Sequence, residues 1–310
     1  MFDSLWIEKY RPSQLSDLVV SEENKRIISK FESDDEIPNL CFAGPPGVGK
    51  TTLAKILVKS ILKCQYLYIN ASDENGIDTI RTKVTQFSQI RSIDGKVKVI
   101  ILDECDGLSQ DAQRALRNTM EEYAEITRFI LTANYSHRII PALQSRCQNI
   151  DLTPPLEACY SRVEQILTSE NVSVEEDQQD LLQKFIRKNY PDLRRIVNEI
   201  QKFCIDGKLI ITVNARSEEF ASQMLSLAAK GHVLKVRRYI IENEDKFNSD
   251  YPTLLKMIFD QLEGCSALNE EQTKMCIVIV AEALYRSAFV ADQEINCFSC
   301  LVQIGQSVNN

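Results

Sequence analysis

The stretch "GPPGVGKTT", Gly44 to Thr52, constrains this chain more than any other. It follows the apolar run "LCFA" and leads into "LAKILVKSIL", so it reads as the turn between a buried strand and a helix. Its glycines let backbone N–H groups turn toward one point, and the helix N-terminus behind them favours an anion. The match to G-x-x-x-x-G-K-[ST] makes this a phosphate-binding loop, with Pro46, Gly47, Val48, Gly49 and Thr52 in the cradle. Lys50 is expected on the β and γ phosphates of ATP, and Thr51 on Mg2+. A strand feeding such a turn and helix belongs to an α/β fold.

The rest of the pattern agrees. Residues 40–44, 66–70, 97–103, 128–134 and 149–152 read as short apolar strands, with helical patterns at 50–62, 77–90 and 109–123 between them. Strands alternating with helices imply a mostly parallel sheet covered on both faces. After Pro154 and Pro155 the strand signal fades, and 156–170, 173–188 and 191–205 read as three amphipathic helices. A connector follows at 208–217, then four or five helical segments up to residue 305. The expected division is an α/β domain over 1–153, a three-helix domain over 154–208 and a helical domain over 209–310.

A second half of the site is written in "VIILDECD". Asp103, at the C-terminal end of a buried strand, suits the Mg2+ shell, and Glu104 suits the orientation or deprotonation of an attacking water. "LTAN" closes the next strand, so Asn134 is expected beside Asp103 if the two strands are neighbours, where an amide fixes water or phosphate without adding charge. In "PALQSRCQNI" an arginine and a cysteine stand side by side. Cys147 would need a base in reach to act as a nucleophile, and His137, the nearest histidine in sequence, has no motif tying it there; Cys147 therefore reads as packing and Ser145 as a turn residue.

Composition narrows the class. A chain of 310 residues with 44% hydrophobic content can bury at least one full core, and no segment reaches the roughly 18 uninterrupted apolar residues of a membrane span. Neither export nor membrane insertion is expected, and ten scattered cysteines read as reduced thiols of a cytoplasmic protein. Cys297 and Cys300 form a C-x-x-C with no second pair and no nearby histidine, which favours buried helix thiols over a zinc site. A formal charge of −8 excludes a protein that coats nucleic acid over its whole surface, so any such contact must be local.

The motifs "WIEKYRP", "GPPGVGKTT", "INASDENGID", "IILDECD", "LTAN", "SRC" and "PDLRR", in this order, resemble the AAA+ ATPases and, more narrowly, the sliding-clamp loader subunits of the replication factor C type. The compact length and "YPDLRR" look most like the loader subunits of tailed phages. The resemblance implies a AAA+ nucleotide-binding domain, a helical lid and an all-α collar. It implies that Tyr10, Arg11, Pro12, Val19 and Val20 line an adenine pocket. It implies that Arg194 reaches the γ-phosphate of the same subunit and that Arg146 is an arginine finger acting in trans, at a neighbour's ATP. A guanidinium suits that task because it is always charged and forks onto two phosphate oxygens.

The same resemblance implies partners: other loader subunits in a homo-tetramer plus one or a hetero-pentamer, a sliding clamp, and primer-template DNA. ATP binding would open the clamp, and hydrolysis would release it on DNA during replication. Thr79, Arg81, Lys83, Arg114 and Arg117 are the candidate DNA-backbone contacts, and Phe87 with Ile90 the candidate clamp plug. Two departures stand out. Cys105 sits where alanine is common, and "DENG" lacks a basic residue that relatives use to couple DNA to the catalytic glutamate, leaving Asn70 or Asn75 as substitutes. The rivals are a non-motor subunit that binds ATP structurally, against which the complete residue set argues, and an origin-binding AAA+ protein, against which the acidic helical end argues. The resemblance implies a cytoplasmic location, in a host if phage-encoded, or a nuclear one if eukaryotic.

Overall fold

The computed structural model describes residues 5–34, 37–92, 97–211, 215–244, 247, 249–262, 264–265 and 267–309. The chain divides into two compact units, Met1–Ile211 and Thr212–Asn310.

The first unit is built on five parallel strands: β1 (Leu40–Ala43), β2 (Tyr66–Asn70), β3 (Lys98–Asp103), β4 (Thr127–Ala133) and β5 (Gln148–Asp151). Their order across the sheet is β2-β3-β4-β1-β5. A parallel sheet must be covered on both faces, and the alternation along each strand divides the apolar residues accordingly. Val99 and Ile101 pack with Leu40, Phe42 and Ile130 under the helices Lys50–Ile56 and Glu22–Asp34, through Leu53, Ile28 and Phe31. Ile100 and Leu102 pack with Phe129 and Leu131 on the opposite face, under Ile80 and Val84 and the helix Gln110–Glu122. The chain leaves β1 for the far edge, returns through β3 and β4, and ends with β5 on the other side of β1. The strand order thus reverses at β1, where the carboxyl ends of the strands open a crevice.

The sheet is followed by helices Leu156–Ser169, Glu176–Asn189 and Leu193–Phe203. The second starts three residues later than its pattern suggests, because Ser173 is drawn into extended pairing: its N–H donates to Gly207 O and its carbonyl accepts from Leu209 N. A small antiparallel hairpin, Cys204–Ile205 with Lys208–Leu209, was not expected from the sequence. Leu209 and Ile211 are buried in the three-helix core with Val163, Ile166 and Ile196, so this packing runs past residue 208, where the sequence places the end of the three-helix segment.

The second unit consists, among its described residues, of helices Ala215–Ala229, Val233–Ile241, Tyr251–Gln261, Glu270–Ser287 and Gln293–Asn309. Gly305 permits a close helix approach: a Cβ there would stand 2.8 Å from Ala228 O. Cys297 and Cys300 are both buried in this core, where burial pushes each thiol up.

Candidate functional site

The phosphate loop leaves β1 at Gly44 and turns through positive φ at Gly44, Gly47 and Gly49, with φ of 141°, 80° and 93°. Gly49 occupies the N-cap of the helix Lys50–Ile56. Gly47 is required for space as well as conformation, since a Cβ there would stand 1.8 Å from Asp192 Oδ1. Asp192 caps the helix Leu193–Phe203, accepting from Arg195 N, so the phosphate loop and that helix meet at one carboxylate. Pro46 is exposed at the loop tip, and Val48 is buried beneath it.

Lys50 is only 8% exposed, and its ammonium donates to Gly44 O at 2.8 Å, Pro45 O at 2.7 Å and Asn134 Oδ1 at 2.7 Å. The ammonium is thereby fixed at the mouth of the loop, tied to Asn134 on the end of β4. Burial lowers its pKa, opposed by the carboxylates of Asp106, Asp103 and Glu104, with Arg194 adding to the lowering.

Strand β4 lies between β1 and β3, so it mediates between the loop and the acids. Asp103, 7% exposed, accepts from Thr51 Oγ1 at 2.7 and 3.0 Å, Thr132 Oγ1 at 2.6 Å and Tyr68 OH at 2.7 Å. Glu104 is exposed and sits in the left-handed region at φ 54°, a costly conformation for glutamate, held in part by its N–H donating to Thr132 Oγ1 at 3.0 Å. Asp106 orients the next strand end by accepting from Asn134 N at 3.3 Å and Tyr135 N at 3.1 Å. Tyr68, Asp106 and Thr132 were not singled out in the sequence. Tyr68 and Thr132 carry no motif signal of their own; Asp106, in "DECD", had one. A buried carboxylate beside a threonine hydroxyl is a set of hard oxygen donors, which fits Mg2+ rather than a soft metal.

A cavity of about 370 Å³ opens beside the loop, within the size range of small-ligand sites. Tyr10, Arg11, Pro12, Val19, Gly47, Val48, Gly49, Thr52 and Arg194 all line it. Val20 does not: it is 3% exposed and turned into the sheet core with Val48 and Ile150. The N-terminal segment is fastened to the three-helix bundle. Trp6 is buried there, with its N–H on Gln201 Oε1 at 2.9 Å; Tyr10 OH donates to Glu170 at 2.6 Å, beside Lys9 Nζ at 2.7 Å. Arg162 donates to Tyr10 O at 3.1 Å and also lines the cavity. Arg162 and Glu170 lie far from any motif, and folding alone brings them here.

Arg146 lies elsewhere. It stands two residues before β5, whose Gln148 pairs with Leu40, while the phosphate loop follows Ala43 at the other end of β1. The four residues of β1, a strand length of roughly 13 Å, separate the Arg146 end of the sheet from the start of the phosphate loop. Its guanidinium pairs with Glu121 and donates to Ala142 O at 2.6 Å. Ser145 Oγ donates to Ala142 O at 3.3 Å, closing the turn. Cys147 packs against the sheet core, and burial pushes its thiol up to about 12, so it stays protonated and a poor nucleophile.

The remaining DNA candidates lie on two helical stretches that pack against each other. Arg81 and Lys83 are exposed and Thr79 half-buried on the helical stretch 77–89; Lys83 Nζ pairs with Glu74 at 2.6 Å. Arg114 pairs with Asp111 at 3.0 Å, and Arg117 donates to Asn118 Oδ1 at 2.8 Å on the helix Gln110–Glu122. Ile90 is 67% exposed, whereas Phe87 leans on the core, its ring 4.2 Å from the buried Lys98 ammonium. The loop that follows Ile90 lies partly outside the described residues, at 93–96. Asn70 is engaged within its own turn, accepting from Ser72 Oγ at 2.9 Å and donating to Asp73 at 2.6 Å; Asn75 O accepts from Ser109 N at 3.1 Å.

Comparison with known proteins adds a family to this geometry. Residues 40–154 match the ATPase family associated with various cellular activities, and 157–212 match the AAA+ ATPase lid domain of the sliding-clamp-loader large subunit. The chain is 33% identical to the replication factor C small subunit of Methanococcus vannielii, over 97% of this chain and 98% of that one. It is 35% identical to that of Sulfurisphaera tokodaii over 97% and 94%, and 37% identical to that of Archaeoglobus fulgidus over 76% and 77%. A solved RuvB variant from Thermotoga maritima shares the fold at TM-score 0.52, with 20% identity over 95% of this chain and 90% of that one. A parallel-sheet nucleotide fold, a matching lid and relatives of this identity along nearly its whole length make the chain a member of the AAA+ ATPases and, within them, of the replication factor C small subunit family of clamp loaders.

Proposed function

We propose that this chain is an ATP-hydrolysing motor subunit whose ATP is cleaved at a junction between two subunits, and that it uses this cycle to open a sliding clamp and release it on primer-template DNA. The observation that carries the reading is the placement of Arg146 at the opposite end of β1 from its own phosphate loop, its half-buried side chain turned to Glu121 instead of that loop. An arginine so placed serves a neighbour's phosphates better than its own.

In this reading the cavity beside Tyr10, Arg11, Pro12 and Val19 takes the adenine, and the loop from Pro46 to Thr52 takes the phosphates. Lys50 exchanges its three internal hydrogen bonds for phosphate oxygens, which also frees Asn134 to hold the attacking water. Mg2+, held by Thr51 and Asp103, would neutralise charge on the β and γ phosphates. Glu104, exposed at the strand end, orients and deprotonates the water; Arg194, on the cavity wall, meets the γ-phosphate from the lid side. The division into an ATPase domain over 1–153, a lid over 154–208 and a collar over 209–310 belongs to the same proposal. An exposed apolar stripe supports an oligomerising collar: Met275, Val278, Tyr285 and Phe289 are 56%, 54%, 72% and 75% exposed at coiled-coil-like spacing along the helix Glu270–Ser287 and its end. Arg81, which has no ion pair among the described residues, and the exposed Arg114 are the basic side chains best placed to take DNA phosphates; Ile90 is the better exposed of the two clamp candidates.

The test is a steady-state ATPase assay of the purified protein, alone and with its loader partners, with and without primer-template DNA and clamp. Stimulation by DNA and clamp together is expected. An identical rate in every condition overturns the loader mechanism.

A further inference from the structure

Asp103 projects from the end of β3, and both flanking strands reach over to it. Thr132 of β4 donates to Oδ1 at 2.6 Å, and Tyr68 of β2 donates to Oδ2 at 2.7 Å. The two carboxylate oxygens are therefore addressed by different hydroxyls from opposite sides. Register explains why a tyrosine is needed on the β2 side: Tyr68 pairs with Ile101, two residues before Asp103 and on the same face, a diagonal that only a long side chain spans. The ring is held in turn by Lys55, one turn beyond Lys50 on the loop's own helix, whose ammonium lies 4.3 Å from the ring centroid.

We propose that Tyr68 is a positioning residue for the metal site, its hydroxyl fixing the orientation of the Asp103 carboxylate so that the other oxygen faces the cation and Thr51. When Thr51 Oγ1 turns from Asp103 to a cation, the carboxylate loses one of its three hydroxyl partners, and Tyr68 with Thr132 keeps it from rotating. Thr132 has a second duty, accepting from Glu104 N, so its removal would disturb two groups at once. Tyr68 has no such second hydrogen bond to the acids and, at 37% exposure, its hydroxyl can be deleted without opening a core cavity. The lysine on the ring adds a direct tie between the phosphate-loop helix and the edge strand.

The inference rests on the reading of Asp103 as the carboxylate that serves Mg2+. It is tested on the full chain by equilibrium titration of a fluorescent, non-hydrolysable ATP analogue, first in chelator and then against rising Mg2+, with Mn2+ binding followed by electron paramagnetic resonance. Tyr68→Phe is expected to bind the analogue in chelator as the parent does, yet to need roughly tenfold more Mg2+ for half of the metal-dependent tightening, with Mn2+ affinity falling in step. Tyr68→Leu, which also removes the ring from Lys55, should show the same metal shift. A Tyr68→Phe protein that titrates like the parent, or one weakened equally in chelator, overturns the role of the hydroxyl. So does a defect confined to Tyr68→Leu, which would assign the effect to the ring. Asp103→Asn separates the two levels. If it abolishes Mg2+ dependence while Tyr68→Phe does nothing, only the positioning role falls; if it titrates like the parent, the metal reading falls with it.

Discussion

Replacing Arg146 by alanine tests the proposed finger with little expected cost to stability. In the folded subunit the guanidinium pairs with Glu121, the two side chains being 33% and 51% exposed, and pairs this exposed contribute about 0–1 kcal/mol. Arg146→Ala should therefore leave the unfolding free energy within about 1 kcal/mol of the parent. The effect on hydrolysis is of another size: arginine fingers supply roughly 10³–10⁵ in rate, or about 4–7 kcal/mol of barrier. Because the residue lies at the opposite end of β1 from its own phosphate loop, the proposed finger predicts that the loss appears at the neighbour's site. The assay is co-assembly. Subunits carrying Arg146→Ala keep an intact nucleotide site without a finger, and subunits carrying Lys50→Met keep the finger beside a disabled site. Each alone should hydrolyse ATP at about a thousandth of the parent rate or less, whereas a co-expressed mixture should recover a substantial fraction. Full activity of Arg146→Ala, or inert mixtures in assemblies shown to contain both variants, would refute a finger acting in trans.

Two further outcomes follow from the geometry. Gly47→Ala must force a Cβ into a backbone at φ 80° and against Asp192 Oδ1 at 1.8 Å; the left-handed strain alone should lower stability by about 1–2 kcal/mol in denaturant melts, and nucleotide affinity should fall with it. Cys147→Ala should hydrolyse ATP like the parent. Burial pushes the thiol up to about 12 in the folded chain, above the 9.0 of a free thiol, so the folded chain retains a proton that the unfolded chain loses in between. Stability associated with this thiol is full below pH 9 and is lost as pH rises toward 12, and Cys147→Ala should flatten that decline in unfolding titrations at pH 8 and 10.5.

Much of this was legible in the sequence for reasons that are local. A phosphate loop is a contiguous segment whose glycines, lysine and threonine act through backbone conformation and the following helix, so "GPPGVGKTT" announces its own shape. The same holds for "VIILDECD", where an apolar strand ending in two acids places Asp103 and Glu104 without reference to the rest of the chain. Amphipathic periodicity gave the three helices after Pro155, but missed the start of the second, since Ser173 is recruited into pairing with a hairpin more than thirty residues away.

What the sequence determined by itself was therefore the set of candidate groups: Lys50, Thr51, Asp103, Glu104 and Asn134, each carried by its own strand end or turn. Tertiary structure decided how they meet. The order β2-β3-β4-β1-β5 inserts β4 between loop and acids, which brings Asn134 onto Lys50 and Thr132 onto Asp103, and the same order puts Tyr68 within reach from the edge strand. It also sets Arg146 at the far end of β5, where no property of "SRC" alone could place it. Strand order and register are non-local quantities, settled by which apolar faces bury against each other, and no stretch of sequence around a residue contains them.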